Sequence, residues 1–219
     1  VSADHVVITG VGDDSLDWTD GWQGSLQYAI AYPGVSPDMS GDPRGIEADN
    51  RDGNNDKTPF SNPKVSNFTL INSGDSATQQ GVLLRRGTRG VIANGIVVDW
   101  STGLDVDSSQ TFTNYGDGTL RIKSIFLDNT VDLDTDSDGV PAFTADDNIV
   151  QGTKSMGGFT FVPGATGVVP GGTELGVTPF AVGGIGDLQT TSHIGAVANG
   201  SDDWYLGWTV DITGAETSN

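Results

Sequence analysis

Between residues 1 and 133 the chain repeats two short patterns in strict alternation. One is an apolar-x-apolar triplet: Leu16-Asp17-Trp18, Ile46-Glu47-Ala48, Val82-Leu83-Leu84, Leu104-Asp105-Val106 and Val131-Asp132-Leu133. The other is a strand-like run: Val6-Val7-Ile8, Ala29-Ile30-Ala31, Phe68-Thr69-Leu70, Ile96-Val97-Val98 and Ile125-Phe126-Leu127. Successive copies lie 22 to 39 residues apart, the variation falling in loops such as Pro33 to Pro43 and Asp52 to Pro63. Period-2 apolar pieces separated by Gly- and Asn-rich turns, with no 3.6-residue pattern, indicate short strands. An antiparallel sandwich also has short strands, but it gives no reason for the same two pieces to recur in the same order. Coils stacked on one another do. The repeat therefore predicts an all-β chain, a right-handed parallel β-helix of about five coils over residues 1–133.

The remainder, 134–219, differs in composition. No Lys or Arg occurs after Lys154, Gly, Pro, Thr and Val dominate, and the chain closes on Trp204, Tyr205 and Trp208. An open solenoid end exposes apolar core and unpaired strand edge, so this part is expected to be a Gly-rich β cap. Its late strands are placed at Gly195-Ala196-Val197 and Trp208-Thr209-Val210. Acids outnumber bases 29 to 10, and 26 of the acids are Asp, which suits turns and oxygen-ligand loops and not helices. A net charge of −19 makes nucleic acid a poor partner. With no Cys, disulfides and thiolate chemistry are excluded, and no apolar run is long enough to span a membrane as a helix. The chain opens on Val1 within an apolar run, which reads as a trimmed piece whose edge near Val1 to Thr9 would permit lateral or end-to-end association.

The register assigns side chains to faces. In each triplet the middle residue points outward, giving a column Asp17, Glu47, Leu83, Asp105, Asp132 and, two positions on, Thr19, Asp49, Arg85, Asp107, Asp134. Carboxylates about 4.8 Å apart repel, shift a pKa or recruit a cation. They read either as a charge-compensated solvated face or as a site. Parallel β-helix enzymes acting on acidic polysaccharides place Asp with Arg or Lys on one outward sheet, as an acid pair or as a calcium cluster with a base. An enzyme here would use Asp14, Asp17 and Glu47, with Asp13 and Asp20 close by, and Arg85 or Arg86 as base. Gly12-Asp13-Asp14 and Arg121-Ile122-Lys123 resemble pieces of the pectin-hydrolase signature, but its Asn-Thr-Asp and Gly-His-Gly pieces are missing. In the second pattern Val7, Ile30, Thr69, Val97 and Phe126 form an outward, largely apolar column, which the cap, a lost neighbour or a partner would cover.

The clearest chemical motif is Asp134-Thr135-Asp136-Ser137-Asp138-Gly139, the D-x-D-x-D-G half of a calcium loop. Asp134, Asp136 and Asp138 converge on one ion, and Val140 offers its carbonyl at the seventh position. Ala145 stands where a bidentate Glu is expected, so Asp146 and Asp147 are assigned that role in a looser loop holding Ca²⁺. Asp49 to Asp56 is a weaker candidate that fits an ordinary Asn/Asp/Gly turn equally well.

The strings GDDSLDWTDGW (12–22), RGIEADN (44–50), SNPKVSNFTL (61–70), GVLLRRGT (81–88) and IGAV…WYLGWTV (194–210) resemble a group of secreted bacterial proteins, often labelled lipoproteins or hypothetical surface proteins. The resemblance implies a right-handed parallel β-helix, a position in the C-terminal half of a longer chain, and export to the outer surface of a Gram-negative cell. It implies no established activity. With no complete catalytic constellation, the leading expectation is a non-catalytic, calcium-stabilised surface domain that binds polysaccharide or other cell-surface components. A polysaccharide lyase or glycoside hydrolase working on the carboxylate and Arg face is the alternative.

Overall fold

In the computed structural model all ten repeating segments are strands. The structure describes residues 1–33, 40–72, 80–134, 143–153, 175–199 and 201–209. Eleven strands occur among them: β1 (Ser2–Thr9), β2 (Leu16–Trp18), β3 (Ser25–Tyr32), β4 (Ile46–Ala48), β5 (Lys64–Ile71), β6 (Gln80–Leu84), β7 (Gly90–Val98), β8 (Thr102–Val106), β9 (Leu120–Asp128), β10 (Val131–Leu133) and β11 (Ile149–Gln151). They form two wholly parallel sheets. The longer strands order as β1-β3-β5-β7-β9-β11, and the triplets as β2-β4-β6-β8-β10. Each coil contributes one strand to each sheet, which is a parallel β-helix. The long sheet continues past Leu133, because β11 pairs with β9.

Each long strand is broken by one residue of positive φ: His5, Tyr28, Asn67, Asn94 and Ser124, with Asn148 just before β11, all between +53° and +60°. Side chains with a short polar arm tolerate this left-handed conformation best. The break resets the alternation of faces. Val65 and Phe68 both enter the core although they are three residues apart. Inside, residues stack coil on coil, as in Leu26-Val65-Ile92-Ile122 and Ala31-Leu70-Val97-Leu127. Sizes compensate along a stack. The Phe68 ring lies over Gly95, where a Cβ would come within 2.2 Å of it.

Two register expectations are corrected. Thr69 pairs with Ile96 and Ile96 with Phe126, so Ile96 occupies the outward column and Val97 points into the core. Leu133 pairs with Leu104, not with Val106, which places Asp134 level with Asp105 and takes Asp132 out of the carboxylate column. Asp132 instead accepts a hydrogen bond from the Asn129 amide at 2.8 Å and closes the preceding turn.

The segment 175–209 lies lengthwise along the coils, across the outward column of the long sheet. Leu175, Val177 and Ile194 pack on Ile71, Ile96, Val98 and Phe126. Ala196, Val197 and Tyr205 cover Ile30, and Val182 and Leu188 cover Val91 and Ala93. The expected late strands do not form at 195–197 or 208–209, since only Val197 makes an isolated bridge; Val210 lies outside the described residues. Side chains of the solenoid hold the backbone of this segment in place of a strand ladder. Gln27 exchanges two hydrogen bonds of 2.8 Å with Gln189, and Asn94 pairs the same way with Phe180 at 2.7 and 3.0 Å. Asn67 donates to the carbonyls of His193 and Gly195. A buried backbone group must find a partner, and here amide side chains supply it.

One short helix, α1 (Ser109–Gly116), interrupts the coil between β8 and β9. Its Phe112 and Tyr115, three residues apart, pack partly buried against the core. Its buried residues are Thr111 and Asn114, which bond to the backbone of Gly87 and Thr88 below it.

Candidate functional site

Strands β2, β4, β6 and β8 set Asp17, Glu47, Leu83 and Asp105 side by side on the outer face, as the repeat predicts. The charges there are closely paired. Glu47 accepts from Arg44 Nη1 on one oxygen and Arg85 Nη2 on the other, each at 2.5 Å. Asp49 accepts from Arg85 Nε at 2.9 Å and Arg86 Nη1 at 2.6 Å. Arg44 also reaches Asp42 at 3.0 Å and Gln80 Oε1 at 3.0 Å, while Gln80 donates onward to Asp105 at 3.2 Å. The result is a guanidinium–carboxylate ladder across neighbouring coils. Its core is largely withdrawn from solvent, with side-chain exposures of 10% for Arg44, 14% for Glu47 and 7% for Asp49.

Of the predicted catalytic set, Asp14, Glu47 and Arg85 join this network, and Asp17 sits beside Glu47, exposed. Asp14 accepts a hydrogen bond from the Arg44 amide at 2.6 Å. Arg44 is the partner that sequence reasoning missed. It lies in a turn, outside both repeating patterns, and only its place three residues before Glu47 hinted at the pair. Burial, and next the Glu47 charge, raise the Asp14 carboxyl from 3.8 to about 7, against the pull of Arg44. Asp17 is raised in the same way, by burial and then by Glu47 and Asp49. For Arg85, burial opposes the charged form, but the hydrogen bonds and charges of Asp49 and Glu47 outweigh it and its pKa rises. That is the reverse of what a proton-abstracting base needs.

The Asp14 shift has a consequence for stability. The native state holds this proton more tightly than the unfolded chain, so the group weakens the fold as pH rises from about 4 to about 7 and levels off above. Asp14→Asn keeps the acceptor for the Arg44 amide and removes the titration. Relative to the parent it is expected to gain stability as pH rises from about 4 to about 7 and to hold that gain above, read as the difference in denaturation midpoints. A difference that stays constant with pH would count against the assignment.

The calcium ligand set is only partly in view. Thr135 to Ala142 lie outside the described residues, and with them Asp136, Asp138 and Val140. Asp134 ends the triplet sheet, and Asp146 is exposed. The Asp147 carboxylate is occupied by the protein itself: Lys123 Nζ donates at 2.6 Å, the Tyr115 hydroxyl at 2.6 Å, and Thr144 through its amide at 2.7 Å and hydroxyl at 2.9 Å. Burial alone would raise its pKa, yet these donors hold it below the usual carboxylate value. Among the described residues no three Asp, Glu or His side chains come together in a metal-ligating group. No helix among them is long and apolar enough to cross a membrane.

The stacked coils define the class as a parallel β-helix, and comparison with protein families agrees with that fold. The family described as "Pectate-lyase like beta helix domain" matches residues 1–160, and the chain belongs to it. The match runs past Leu133 to include β11. No curated protein matched the chain, and no solved structure did.

Proposed function

We propose that this chain is a non-catalytic, extracellular β-helix domain that binds glycans or other cell-surface components, with Ca²⁺ stiffening the loop that follows Asp134. The observation that carries the non-catalytic reading is the ladder: both oxygens of Glu47 and of Asp49 are held by guanidinium groups. A carboxylate so engaged is a poor nucleophile or base, because attack or proton uptake must first break two charge-assisted hydrogen bonds. The location rests on the resemblance to secreted surface proteins. The calcium reading rests on the D-x-D-x-D-G spacing, and the ligands left for it are Asp134, Asp136, Asp138, the Val140 carbonyl and Asp146.

A second reading is favoured by one observation. Asp14, protonated up to about pH 7, lies close to Glu47, and a protonated acid beside a second carboxyl group is the pairing glycoside hydrolysis uses. A panel of neutral and uronate-containing polysaccharides separates the two. The expected outcome is binding without turnover. Cleavage that disappears in Asp14→Asn would establish the enzyme instead. Calorimetric melting in Ca²⁺ and in EDTA is expected to show a higher transition with Ca²⁺, and an unchanged transition would remove calcium from the proposal.

A further inference from the structure

The column of left-handed corner residues changes character along the helix. At its third and fourth rungs Asn67 and Asn94 hydrogen-bond the backbone of the 175–209 segment and draw it onto the coils. At its first two rungs the same positions carry His5 and Tyr28, whose rings lie 4.6 Å apart. There the segment and the sheet bound a cleft of about 320 Å³. The far wall is also aromatic. Trp204 meets His5 edge to face at 4.9 Å, and His193 lies over Tyr28 at 6.4 Å, nearly parallel.

The polar atoms of the cleft are those of a ligand site. Asp4, Asp187 and Asp202 line it, and no Lys or Arg does. Asp4 accepts from His5 Nδ1 in one tautomer, Asp187 from the Ser2 hydroxyl, and Asp202 from the Ala198 amide, so each carboxylate keeps further acceptor capacity. Burial, then the Asp202 and Asp4 charges, raise the Tyr28 pKa, so its hydroxyl remains a donor at neutral pH. His193 Nε2 is buried without a hydrogen-bond partner among the described residues. Burial lowers the His193 pKa, which makes the ring neutral and leaves it one donor and one acceptor.

We infer that this cleft, formed by His5 and Tyr28 on the solenoid and His193 and Trp204 on the 175–209 segment, is a binding site for a neutral sugar residue. Aromatic faces accept the apolar face of a pyranose ring, while carboxylates and a mixed donor–acceptor set suit hydroxyls that both give and take hydrogen bonds. Three carboxylates without a cation reject a uronate or phosphate ligand. The inference rests on the glycan-binding reading above and gives it a location and a sugar class. The cleft lies against the long sheet, apart from the Arg44–Glu47–Arg85 ladder on the triplet sheet.

The test titrates the intact chain with gluco-, manno-, xylo- and galacto-oligosaccharides, followed by calorimetry and tryptophan fluorescence. An oligogalacturonate and a chitosan oligomer serve as the acidic and cationic counterparts. At least one neutral oligosaccharide is expected to bind, and Tyr28→Phe and Asp4→Asn, which alter single polar groups, are each expected to weaken it about tenfold. Neutral-sugar binding unchanged in both variants would overturn the site and leave the glycan-binding reading standing. Binding confined to the acidic or the cationic oligomer would overturn the sugar class. No binding by any oligosaccharide would overturn both this inference and the reading it rests on.

Discussion

Glu47→Ala is expected to lower stability by about 3 kcal/mol, because it removes the carboxylate that two guanidinium groups share and leaves Arg44 to its outer partner Asp42 and Arg85 to Asp49. Arg44 and Arg85 have side-chain exposures of 10% and 19%, and Glu47 bridges them from successive coils. Removing the anion leaves two like charges facing each other with little water to screen them, which costs more than the pair itself contributes. For a domain of this size the loss corresponds to a fall of roughly 6–12 °C in melting temperature. Replacing the group together, as Glu47→Leu with Arg44→Met and Arg85→Met, is expected to restore part of the loss, since both guanidinium groups go with the carboxylate, Asp49 keeps Arg86 and Asp42 is exposed to water. Urea denaturation of the single and triple variants measures both quantities. If Glu47→Ala matches the parent, the ladder is a solvated surface feature and the case against catalysis at Glu47 loses its support.

The second large effect is expected at Asn67. Its Oδ1 accepts from Gln27 and Ser66, each at 3.0 Å, and its Nδ2 donates to the His193 carbonyl at 2.9 Å and the Gly195 carbonyl at 3.2 Å. Asn67→Ala orphans the Gly195 carbonyl, at about 1–3 kcal/mol for a buried group left unpaired, and leaves the His193 carbonyl to Thr191 and the Ser66 hydroxyl to Asn94. It also puts a less tolerant residue at a φ of +53°. The expected total is about 2–4 kcal/mol. Asn67→Gly, which accepts the left-handed backbone, is expected to recover roughly 1 kcal/mol of it. Because the lost bonds are those that seat the 175–209 segment, both variants are expected to expose the Ile30, Ile71, Ile96 and Phe126 column. Proteolysis within that segment and binding of an apolar dye should rise before global unfolding. Cleavage at the parent rate in Asn67→Ala would show that apolar contact alone holds the segment down.

How much of this was legible depended on whether the signal was local. The ten repeating segments were readable because burial against a stacked core imposes an apolar alternation on every coil, whatever the loop length. The outward place of Asp17, Glu47, Leu83 and Asp105 followed directly. The slips at Val97 and Asp132 have one origin. Val97 lies among three consecutive apolar residues and Asp132 in a triplet of unaided alternation, and a run of that kind fits two registers equally well until its neighbours choose. For Ile96-Val97-Val98 the choice was made upstream, by Asn94 at the left-handed corner and Gly95 beneath Phe68. Arg44 and Gln80 were harder to see. Their partners, Asp14, Glu47 and Asp105, come from neighbouring coils 25 to 36 residues away or from across a turn, and no motif marks such spacing. The α1 helix was silent because Phe112 and Tyr115 alone mark its apolar side, too few to set a period, and its buried Thr111 and Asn114 anchor it by hydrogen bonds.

By itself the sequence determined the coil. Side chains that must alternate between core and solvent write their period into the chain, and parallel stacking follows once the same order recurs. What joins one coil to the next, and the solenoid to the 175–209 segment, was decided only in three dimensions. The Asn67 and Asn94 amides bond carbonyls and amides about a hundred residues away, and Asp147, assigned from sequence to a looser calcium loop, is engaged by Tyr115 and Lys123. Hydrogen bonds and ion pairs between distant segments depend on which groups arrive at the same place, and a one-dimensional pattern records apolar periodicity but not arrival. The cleft lined by His5, Tyr28, His193 and Trp204 belongs to that second kind. Its two walls lie nearly two hundred residues apart in the chain and meet only because the segment folds back along the coils.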